Sequence, residues 1–533
     1  GLISEPLRIG LSVWGLSLIL VVGGRFLARV LLLRSSRERD SVIIYGAGRA
    51  GALLIANLMS GDDYFPVAVV DDDRAVQGKR IQGLRIYSPE RLQDLIDRYQ
   101  VKSVLLAIPS ASRRERRTVL EKITEISVQV QSIPGIRDLV SGKARVDELR
   151  SVGAKDLLGR DEVPPHPQLI AKSIKGKVVM VTGAGGSIGA ELCRQILKQS
   201  PSKLVLFEIS EPSLYRIDRK LHKLVREKGI DCETVALLGS VTDRRRVTDV
   251  MTSFNVETVF HAAAYKHVPM VEENLLQGMK NNVLGTWHTV QAAIVAKVQS
   301  FVLISTDKAV NPTSVMGATK RLAELILQAF DGRHVDTCFY MVRFGNVLES
   351  SGSVVPLFKE QIRNGGPVTV THRDIIRYFM TIPEAAQLVI QAGAMARGGD
   401  VFVLDMGDPV KIDDLARRMV SLMGLTVRDD KHPDGDIDIV YTGLRPAEKL
   451  YEELLIGNSV SGTDHPRILR ADEHALDYDA INGIVEEVQR KIDAGDHVGA
   501  RELLTRAVRE YTPADDINDL TWRHRNGTTE KEA

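Results

Sequence analysis

The sequence predicts an α/β protein built from two Rossmann-like domains, each a doubly wound parallel sheet. Apolar strand segments alternate with helical segments along most of the chain, which is typical of parallel sheets. Two of these strands run directly into glycine-rich loops that are followed by helices. At 533 residues the chain is also too long for one ordinary hydrophobic core.

Composition narrows the function classes. Hydrophobic residues make up 44% and charged residues 26% of the chain, as in globular proteins. The net charge of +1 gives no indication of a nucleic-acid partner. The cysteines Cys193, Cys232 and Cys338 are far apart, so we expect neither a disulfide nor a metal site.

The chain begins with an apolar segment, and we expect a residual membrane segment over residues 1–39. Residues 9–24 carry no charge, and the apolar pattern continues to Leu33. This uncharged run is shorter than the about 20 residues that cross a bilayer, but together with the following turn it could span. Arginines follow the segment, which predicts that the remaining chain lies on the cytoplasmic side. The alternative is an amphipathic helix that lies in the membrane interface.

The first Rossmann-like domain is predicted over residues 40–155. A strand runs into Gly46-x-Gly48-x-x-Gly51, and about twenty residues later a second strand ends in Asp71. This spacing is typical of dinucleotide-binding loops. No set of catalytic residues accompanies it. The domain could bind a regulatory nucleotide or could serve as a scaffold, and the sequence leaves both interpretations open.

The larger, catalytic domain is predicted over residues 173–460, after a proline-rich linker or ordered arm at 156–172. Residues from about 345 to 460 are expected to form a smaller substrate-binding lobe over the carboxyl edge of the sheet. Residues 461–533 are predicted to be mostly helical, with a disordered tail. The expected strands of this domain lie at 203–208, 233–239, 257–264 and 301–306.

The loop that follows Thr182 predicts a dinucleotide site in the second domain. Gly183, Gly186 and Gly189 allow a tight turn and a close approach of the backbone to a pyrophosphate at the start of the next helix. Glu208 ends the following strand, where an acid would bind the adenosine ribose diol. Its charge would repel a 2′-phosphate, so we expect NAD and not NADP.

Several motifs resemble those of the extended short-chain dehydrogenase/reductase family. They are the glycine spacing, the segment His261-Ala262-Ala263-Ala264, the segment Asn282-Val283-x-Gly285-Thr286 and the position of Lys320. The resemblance goes further, to the membrane-anchored UDP-N-acetylglucosamine 4,6-dehydratases of bacterial polysaccharide and glycan biosynthesis, and covers nearly the whole chain. The segments that carry it are AAAYKHVPMVEEN, STDKAVNPTSVMGATKR, RFGNVLESSGSVVPLF, THRDIIRYFMTIPEA and GLRPAEKLYEE.

The resemblance implies a dehydration in which NAD holds the hydride from C4 of the sugar and returns it to C6. A base removes the C5 proton, and an acid protonates the departing C6 hydroxyl. Asp307 matches the acid of the family and Lys308 matches its base. We expect burial or nearby positive charge, such as Lys320, to lower the pKa of Lys308, and Asp307 to be protonated during elimination.

Met316 departs from most relatives, in which a tyrosine takes the O4 proton and lies four residues before the equivalent of Lys320. A thioether cannot take a proton. Either Thr306 orients the O4 hydroxyl while another group or water takes its proton, or Asp307 serves twice, first taking the O4 proton and then protonating the C6 hydroxyl. In the family, methionine here resembles the branch that retains configuration at C5. Lys320 would hold the nicotinamide ribose.

The resemblance also implies the remaining binding residues and partners. We expect a cytoplasmic catalytic region at the bacterial inner membrane, and a homo-oligomer, because relatives of this fold pair through helices.

Arg377 and Arg445 suit a diphosphate, because a guanidinium pairs with two oxygens. Ser240 stands where relatives often have Asp. The implied cofactor residues are Gly183, Gly186, Ser187, Ile188, Gly189, Glu208, Ser240, Val241, Ala262, Ala263 and Lys320, and the implied substrate residues are Lys266, Asn346, Arg377, Arg445 and Glu448.

Two other functions compete with the dehydratase. A nucleotide-sugar 4-epimerase has the same fold, but epimerases depend on the tyrosine and need no acid–base pair at C5 and C6. A nucleotide-sensing membrane scaffold without catalysis would explain the missing tyrosine, but Asp307, Lys308 and Lys320 are all present.

Overall fold

Both predicted parallel sheets are present, and the α/β, Rossmann-like fold class is confirmed. The structure is a computed structural model that describes residues 13–25, 39–133, 150–151, 163–453 and 460–527, apart from 62, 125, 127, 331, 332, 334 and 335. The chain divides into two compact units. The first comprises Gly1–Gly153 with Ser421–Leu425, and the second Ala154–Val420 with Thr426–Ala533.

The predicted membrane segment is described only in part. Residues 13–25 form a helix, α1, whose apolar side chains are mostly exposed, including Trp14 and Ile19. Across the part of the chain that the structure describes, we find no helix with the length and apolar character needed to cross a membrane. The rest of the predicted segment, at 1–12 and 26–38, lies outside the described residues.

The first unit contains a seven-stranded sheet with helices between its strands. Its elements are β1 Asp40–Tyr45, α2 Arg49–Ser60, β2 Tyr64–Val70, β3 Arg80–Ile81, β4 Leu84–Tyr87, α3 Leu92–Tyr99, β5 Ser103–Leu106, α4 Arg113–Thr124, β6 Gln129–Ser132 and β7 Arg150–Ser151. The strand order is β3-β4-β2-β1-β5-β6-β7. β1 pairs in parallel with β2 on one side and β5 on the other. The chain therefore reverses its winding direction at β1, directly before the first glycine loop.

The fold itself requires two glycines of this first loop. Gly46 has a φ of +115°, and a Cβ there would lie 2.8 Å from the Ala107 carbonyl oxygen. A Cβ at Gly51 would lie 2.0 Å from the Gly46 carbonyl oxygen. Asp71 accepts a 2.6 Å hydrogen bond from the backbone N–H of Ala47. The loop thus has a structural explanation, and ligand binding by this unit stays a prediction.

The second unit contains a nine-stranded sheet in the order β10-β9-β8-β11-β12-β13-β18-β22-β21. The first seven strands in this order are parallel, and β22 and β21 are antiparallel to their neighbours. The winding reverses between β8 and β11, which places the second glycine loop at this switch point. The strands are β8 Val178–Thr182, β9 Lys203–Glu208, β10 Glu233–Leu238, β11 Thr258–His261, β12 Ser300–Ile304, β13 Cys338–Arg343, β18 Asp400–Leu404, β21 Val460–Gly462 and β22 Ile468–Ala471.

Helices of the second unit connect these strands. They are α5 Pro167–Lys172, α6 Ser187–Leu197, α7 Glu211–Lys228, α8 Arg244–Ser253, α9 Val268–Glu272, α10 Leu275–Met279, α11 Gly285–Val295, α12 Val315–Gln328, α13 Val354–Arg363, α14 Ile382–Ala392, α15 Ile412–Leu422, α16 Tyr478–Ala494, α17 His497–Ala507 and α18 Leu520–Arg525. The α5 part of the predicted linker is ordered and contacts α14: the N–H of His166 donates to the Gln391 side chain at 2.8 Å.

The expected lobe consists of short elements around the end of the sheet. Three two-stranded pairings occur in it: β14 Asn346–Val347 with β17 Phe379–Met380, β15 Val368–Val370 with β20 Ile439–Tyr441, and β16 Ile376–Arg377 with β19 Val410–Lys411. β14 follows directly after β13, so Asn346 is carried to the carboxyl edge of the main sheet. The lobe therefore supplies side chains to the same edge as the glycine loop.

The helix α12 is buried along its whole length. Apolar residues of α16 and α17, such as Ile481 and Leu504, belong to the same core cluster as Leu322 and Ile326. The C-terminal helices therefore cover α12 and fix it in place. Because α12 carries Met316 and Lys320, both site positions lie on a rigid support.

Candidate active site

The second glycine loop is closed so tightly that only glycine fits at its ends. Gly183 has a φ of +64°, and a Cβ there would lie 2.8 Å from the backbone nitrogen of Ala263. A Cβ at Gly189 would lie 2.0 Å from the Gly183 carbonyl oxygen, and one at Gly185 2.5 Å from Ser213 Cβ. The loop therefore lies close against its neighbours, and α6 begins directly after Gly186 with N–H groups that can face a pyrophosphate.

Other predicted cofactor residues surround this loop. Glu208 is buried at the end of β9, and its two carboxylate oxygens accept 2.9 Å hydrogen bonds from the N–H groups of Gly185 and Ser210. Ala262 and Ala263 follow β11 and contact the Thr182 end of β8. The Ser240 hydroxyl is 2.8 Å from that of Thr242. Ser187, Ile188 and Val241 lie in or beside the same loops.

His261 is held as a neutral ring in the middle of this region. Its Nδ1 is 2.9 Å from the Thr182 hydroxyl and its Nε2 is 3.2 Å from the Thr286 hydroxyl. Burial, together with the nearby charge of Lys320, lowers the pKa of His261 to about 3. The ring therefore joins β8, β11 and α11 and does not exchange protons at neutral pH.

Lys320 projects from α12 to the end of β12. Its Nζ donates a 2.7 Å hydrogen bond to the Ile304 carbonyl oxygen. Burial lowers the pKa of Lys320 to about 8, although the charge of Glu324 opposes this shift. The amine thus lies next to the strand tip that carries Asp307 and Lys308, and ribose binding by Lys320 stays a prediction.

Thr306, Asp307 and Lys308 form one short turn after β12. The Thr306 hydroxyl donates to Asp307 Oδ1 at 2.9 Å and caps the turn through the Lys308 N–H. Lys308 Nζ is 3.1 Å from the same Asp307 oxygen. Asp307 is buried, and among the described residues its Oδ2 has no hydrogen-bond partner. An unpartnered buried carboxylate oxygen is costly, so it is a candidate to meet a ligand hydroxyl.

Lys308 differs from the expectation in its protonation. Burial lowers the pKa of this amine, but the carboxylates of Asp307 and Glu452 outweigh burial, and the net effect raises it. Glu452 Oε1 is 3.4 Å from Lys308 Nζ. The expected fall in the pKa of Lys308 is therefore wrong, because Asp307 and a second carboxylate, which the sequence did not indicate, both favour the ammonium form.

Some of the predicted substrate residues lie close to Asp307 and Lys308, and others do not. Asn346 accepts a 3.3 Å hydrogen bond from Lys308 Nζ, so it belongs to the acid–base cluster. Lys266 Nζ donates to the Ser351 carbonyl oxygen at 3.2 Å, and the Ser351 N–H donates to the Ser187 hydroxyl. Burial and the nearby charge of Lys308 lower the pKa of Lys266. The Arg445 side chain is exposed at the edge of the lobe.

Arg377 is engaged within the protein instead of being free for a diphosphate. Its terminal nitrogens donate to the carbonyl oxygens of Ile376, Leu450 and Lys449 and to Glu448 Oε1, at 2.7 to 3.2 Å. These bonds hold the segment that carries Glu448 and Glu452. Diphosphate binding by Arg377 stays a prediction that would require some of these bonds to exchange.

Comparison with known proteins identifies the family. A profile described as polysaccharide biosynthesis protein matches residues 179–473, more than half of the chain. The chain belongs to this polysaccharide biosynthesis family. Relatives of the chain include proteins named UDP-glucose 4-epimerase.

Three relatives of this family member show the range of similarity. The capsular polysaccharide biosynthesis protein CapD of Staphylococcus aureus is 44% identical over 87% of this chain and 77% of its own. The probable polysaccharide biosynthesis protein EpsC of Bacillus subtilis is 42% identical over 85% of this chain and 75% of its own. A UDP-glucose 4-epimerase of Rickettsia prowazekii is 32% identical over 54% of this chain and 80% of its own.

Glu452 is the residue of the site that sequence reasoning missed. It lies in the segment GLRPAEKLYEE, which the sequence singles out, beside a second glutamate. Its position is set by the ion pairs of Arg377, which bring the segment over Lys308. No spacing rule in the sequence distinguishes Glu452 from Glu453, so only the fold could reveal it. No group of metal-ligating side chains occurs within the described ranges.

The glycine loop gives a first test. Gly189→Ala should weaken NAD binding at least about tenfold and cost about 1–3 kcal/mol of stability, because the added Cβ meets the Gly183 carbonyl oxygen. Gly483→Ala is a matched control, since nothing lies within 4 Å of a Cβ there. Calorimetry and a dinucleotide titration would measure both effects. Equal behaviour of the two variants would contradict the steric explanation.

Proposed function

We propose that this protein is an NAD-dependent 4,6-dehydratase that acts on UDP-N-acetylglucosamine in polysaccharide or glycan biosynthesis. The product would be a UDP-2-acetamido-2,6-dideoxy-4-hexulose with its C5 configuration retained. The single observation that carries the proposal is the turn after β12, where a buried carboxyl with a free oxygen lies beside an amine. Elimination across C5 and C6 needs an acid and a base that close together.

The loop after β8 fits NAD. Its glycines leave no room for side chains, and Glu208 lies where an adenosine ribose would be bound. Lys320, whose amine lies at the end of β12, is proposed to hold the nicotinamide ribose. When bound, NAD supplies the oxidising and reducing capacity that C4 and C6 require.

Asp307 is proposed to carry one proton through the reaction. Met316 is buried at the position where most members of the resembled family have tyrosine, and its thioether cannot accept the O4 proton. Thr306 occupies Asp307 Oδ1, which leaves Oδ2 to accept that proton. Asp307 then delivers it to the C6 hydroxyl, which leaves as water. The alternative in which Asp307 serves twice is therefore favoured.

Lys308 is proposed to move the C5 proton. As a neutral amine it removes this proton once C4 is a ketone, because the resulting carbanion is an enolate. It returns a proton to C5 from the same face after C6 has been reduced. One base on one face preserves the configuration at C5.

A 4-epimerase is the second candidate, since Rickettsia relatives carry that name. An epimerase removes the hydride from C4 and returns it to the opposite face of the same carbon, so it has no elimination step that would use a paired acid and amine. The inactive sensor scaffold is a third candidate, and the Thr306-Asp307-Lys308 turn, in which a buried Asp307 is hydrogen-bonded by both of its neighbours, argues against it.

The proposal extends to localisation. The exposed apolar side chains of α1 support attachment of the chain to the bacterial inner membrane, with the catalytic unit in the cytoplasm. Membrane fractionation of the full chain, and of a chain that starts at residue 39, would test it. Equal distribution of the two proteins would contradict it.

The substrate assay distinguishes the three functions. Purified protein with UDP-N-acetylglucosamine should form a 4-keto-6-deoxy sugar nucleotide that has lost one water, detected by mass spectrometry. A galacto isomer of unchanged mass would indicate an epimerase, and an unchanged substrate would indicate a sensor. When the reaction is run in deuterated water, NMR of the product would measure how much deuterium enters at C5 and which configuration C5 has.

A further inference from the structure

Glu452 is the most unusual charged group near the proposed site. Its side chain is 3% exposed, and its Oε1 lies 3.4 Å from Lys308 Nζ and 3.7 Å from Arg377 Nε. Its second oxygen, Oε2, is buried and has no hydrogen-bond partner among the described residues. Glu452 is thus a carboxylate with one oxygen on an amine and one left free.

The charges around Lys308 favour its ammonium form. Asp307 and Glu452 contact its Nζ, while Lys266 and Arg377 are the neighbouring cations, and Glu448 pairs with Arg377. The two contacting carboxylates outweigh burial and the cations. An ammonium cannot remove the C5 proton, so a base role for Lys308 requires that one proton leave it first.

We propose that Glu452 is the internal proton acceptor of Lys308, taking one ammonium proton before the C5 step and returning it afterwards. This inference rests on the proposed dehydration. In this role Glu452 acts on the substrate only through Lys308, so it is a positioning residue that stores a proton.

The protons balance in this scheme. The resting site holds charged Asp307, Lys308 and Glu452. The O4 proton moves to Asp307, and one Lys308 proton moves to Glu452. Lys308 then takes the C5 proton while Asp307 gives its proton to the leaving hydroxyl, which departs as water. Lys308 next returns a proton to C5 and regains its own from Glu452, so the resting state is restored.

Asp307 cannot fill the role of Glu452. At the moment of elimination Asp307 must hold the O4 proton for the leaving group, so it has no capacity for the Lys308 proton. Glu452 is the other carboxylate within 4 Å of the amine in the part of the chain that the structure describes. Its Oε1 faces the amine and takes the proton, and its unpartnered Oε2 offers the carboxyl group a second position for that proton.

The test is Glu452→Gln, which keeps the shape and removes the acceptor. Dehydration should fall at least about 100-fold at neutral pH, the size of a general acid–base contribution. Turnover of the Glu452→Gln variant should rise about tenfold for each unit by which the pH is increased, because Lys308 must lose its proton to solvent. Wild type should be flat over the same range, since its proton transfer is internal. In the ligand-free variant, NMR titration should show a lower pKa for Lys308, because one stabilising carboxylate is gone.

Controls separate this inference from the proposed function. Glu453→Gln should behave as wild type, because that side chain is 51% exposed and pairs with Asn311 and Lys449. Substrate should still reduce bound NAD in Glu452→Gln, seen as near-ultraviolet absorbance, which shows an assembled site. Glu452→Asp should recover part of the activity and the flat pH profile.

Two outcomes would overturn the inference while leaving dehydration intact. One is Glu452→Gln turnover within threefold of wild type, with a flat pH profile. The other is a Glu452→Asp variant that loses activity and gains pH dependence as fully as Glu452→Gln. If wild type itself forms no dehydrated product, the proposed function fails instead.

Discussion

Lys308→Ala should lower dehydration by at least about 1,000-fold while NAD stays bound, since the C5 proton then has no base within reach. Shortening the Lys308 side chain to a methyl group also leaves Asp307 and Glu452 without the cation that both contact. The dinucleotide loop is formed by β8, β9 and α6 and does not depend on this amine. Kinetics of product formation and a separate NAD titration would measure the two effects.

Asp307→Asn should give a loss of similar size, because an amide cannot carry the O4 proton to C6. Lys223→Ala is the matched control for both variants: the Lys223 side chain is 72% exposed, and its amine pairs with Glu227 along α7. Either site variant turning over at near the wild-type rate would show that the assigned roles are wrong.

Arg343→Met should cost about 3–5 kcal/mol of stability, because it leaves two buried carboxylates with one arginine in place of two. The Arg343 side chain is 1% exposed, and its guanidinium donates at 2.7 Å to Glu324 and to Glu473. Arg321 pairs with the same two acids. Burial raises the pKa of Glu324, but the two arginines and Ser305 outweigh it, and the net pKa is lowered.

This buried network also supports the site. Glu324 accepts a 2.6 Å hydrogen bond from the Ser305 hydroxyl, directly before Thr306. Loss of Arg343 should therefore reduce turnover as well as the urea midpoint of unfolding. Arg245→Met is the control, because that side chain is 92% exposed and its pairing with Asp249 is loose. Equal stability of the two variants would contradict a structural role for the network.

The sequence predicted the parts of the protein that depend on local pattern. Alternating strands and helices, the glycine loop from Gly183 to Gly189 and the turn at Asp307 and Lys308 are all contiguous signals. Helix α12 shows where such signals fail. Lys320, Arg321 and Glu324 would suggest a solvated face, but all three are buried. Lys320 and Glu324 are bonded to β12, β13 and Ser305.

Charge interactions between residues that are distant along the chain are the second reason why the site differs from the sequence-based expectation. The pKa of Lys308 depends on Glu452, which is distant along the chain and reaches the amine only because Arg377 holds its segment. Arg377 was predicted to bind diphosphate, but its terminal nitrogens are occupied by this task. Neither fact can be read from residue spacing.

The most direct test of the acid–base account is a crystal structure of the protein with NADH and UDP-N-acetylglucosamine. This complex cannot turn over, because the nicotinamide is already reduced. We predict that Lys308 Nζ lies about 3–3.5 Å from C5, with Asp307 Oδ2 within hydrogen-bonding distance of the O4 or O6 hydroxyl. Both side chains directed away from the hexose would contradict the account.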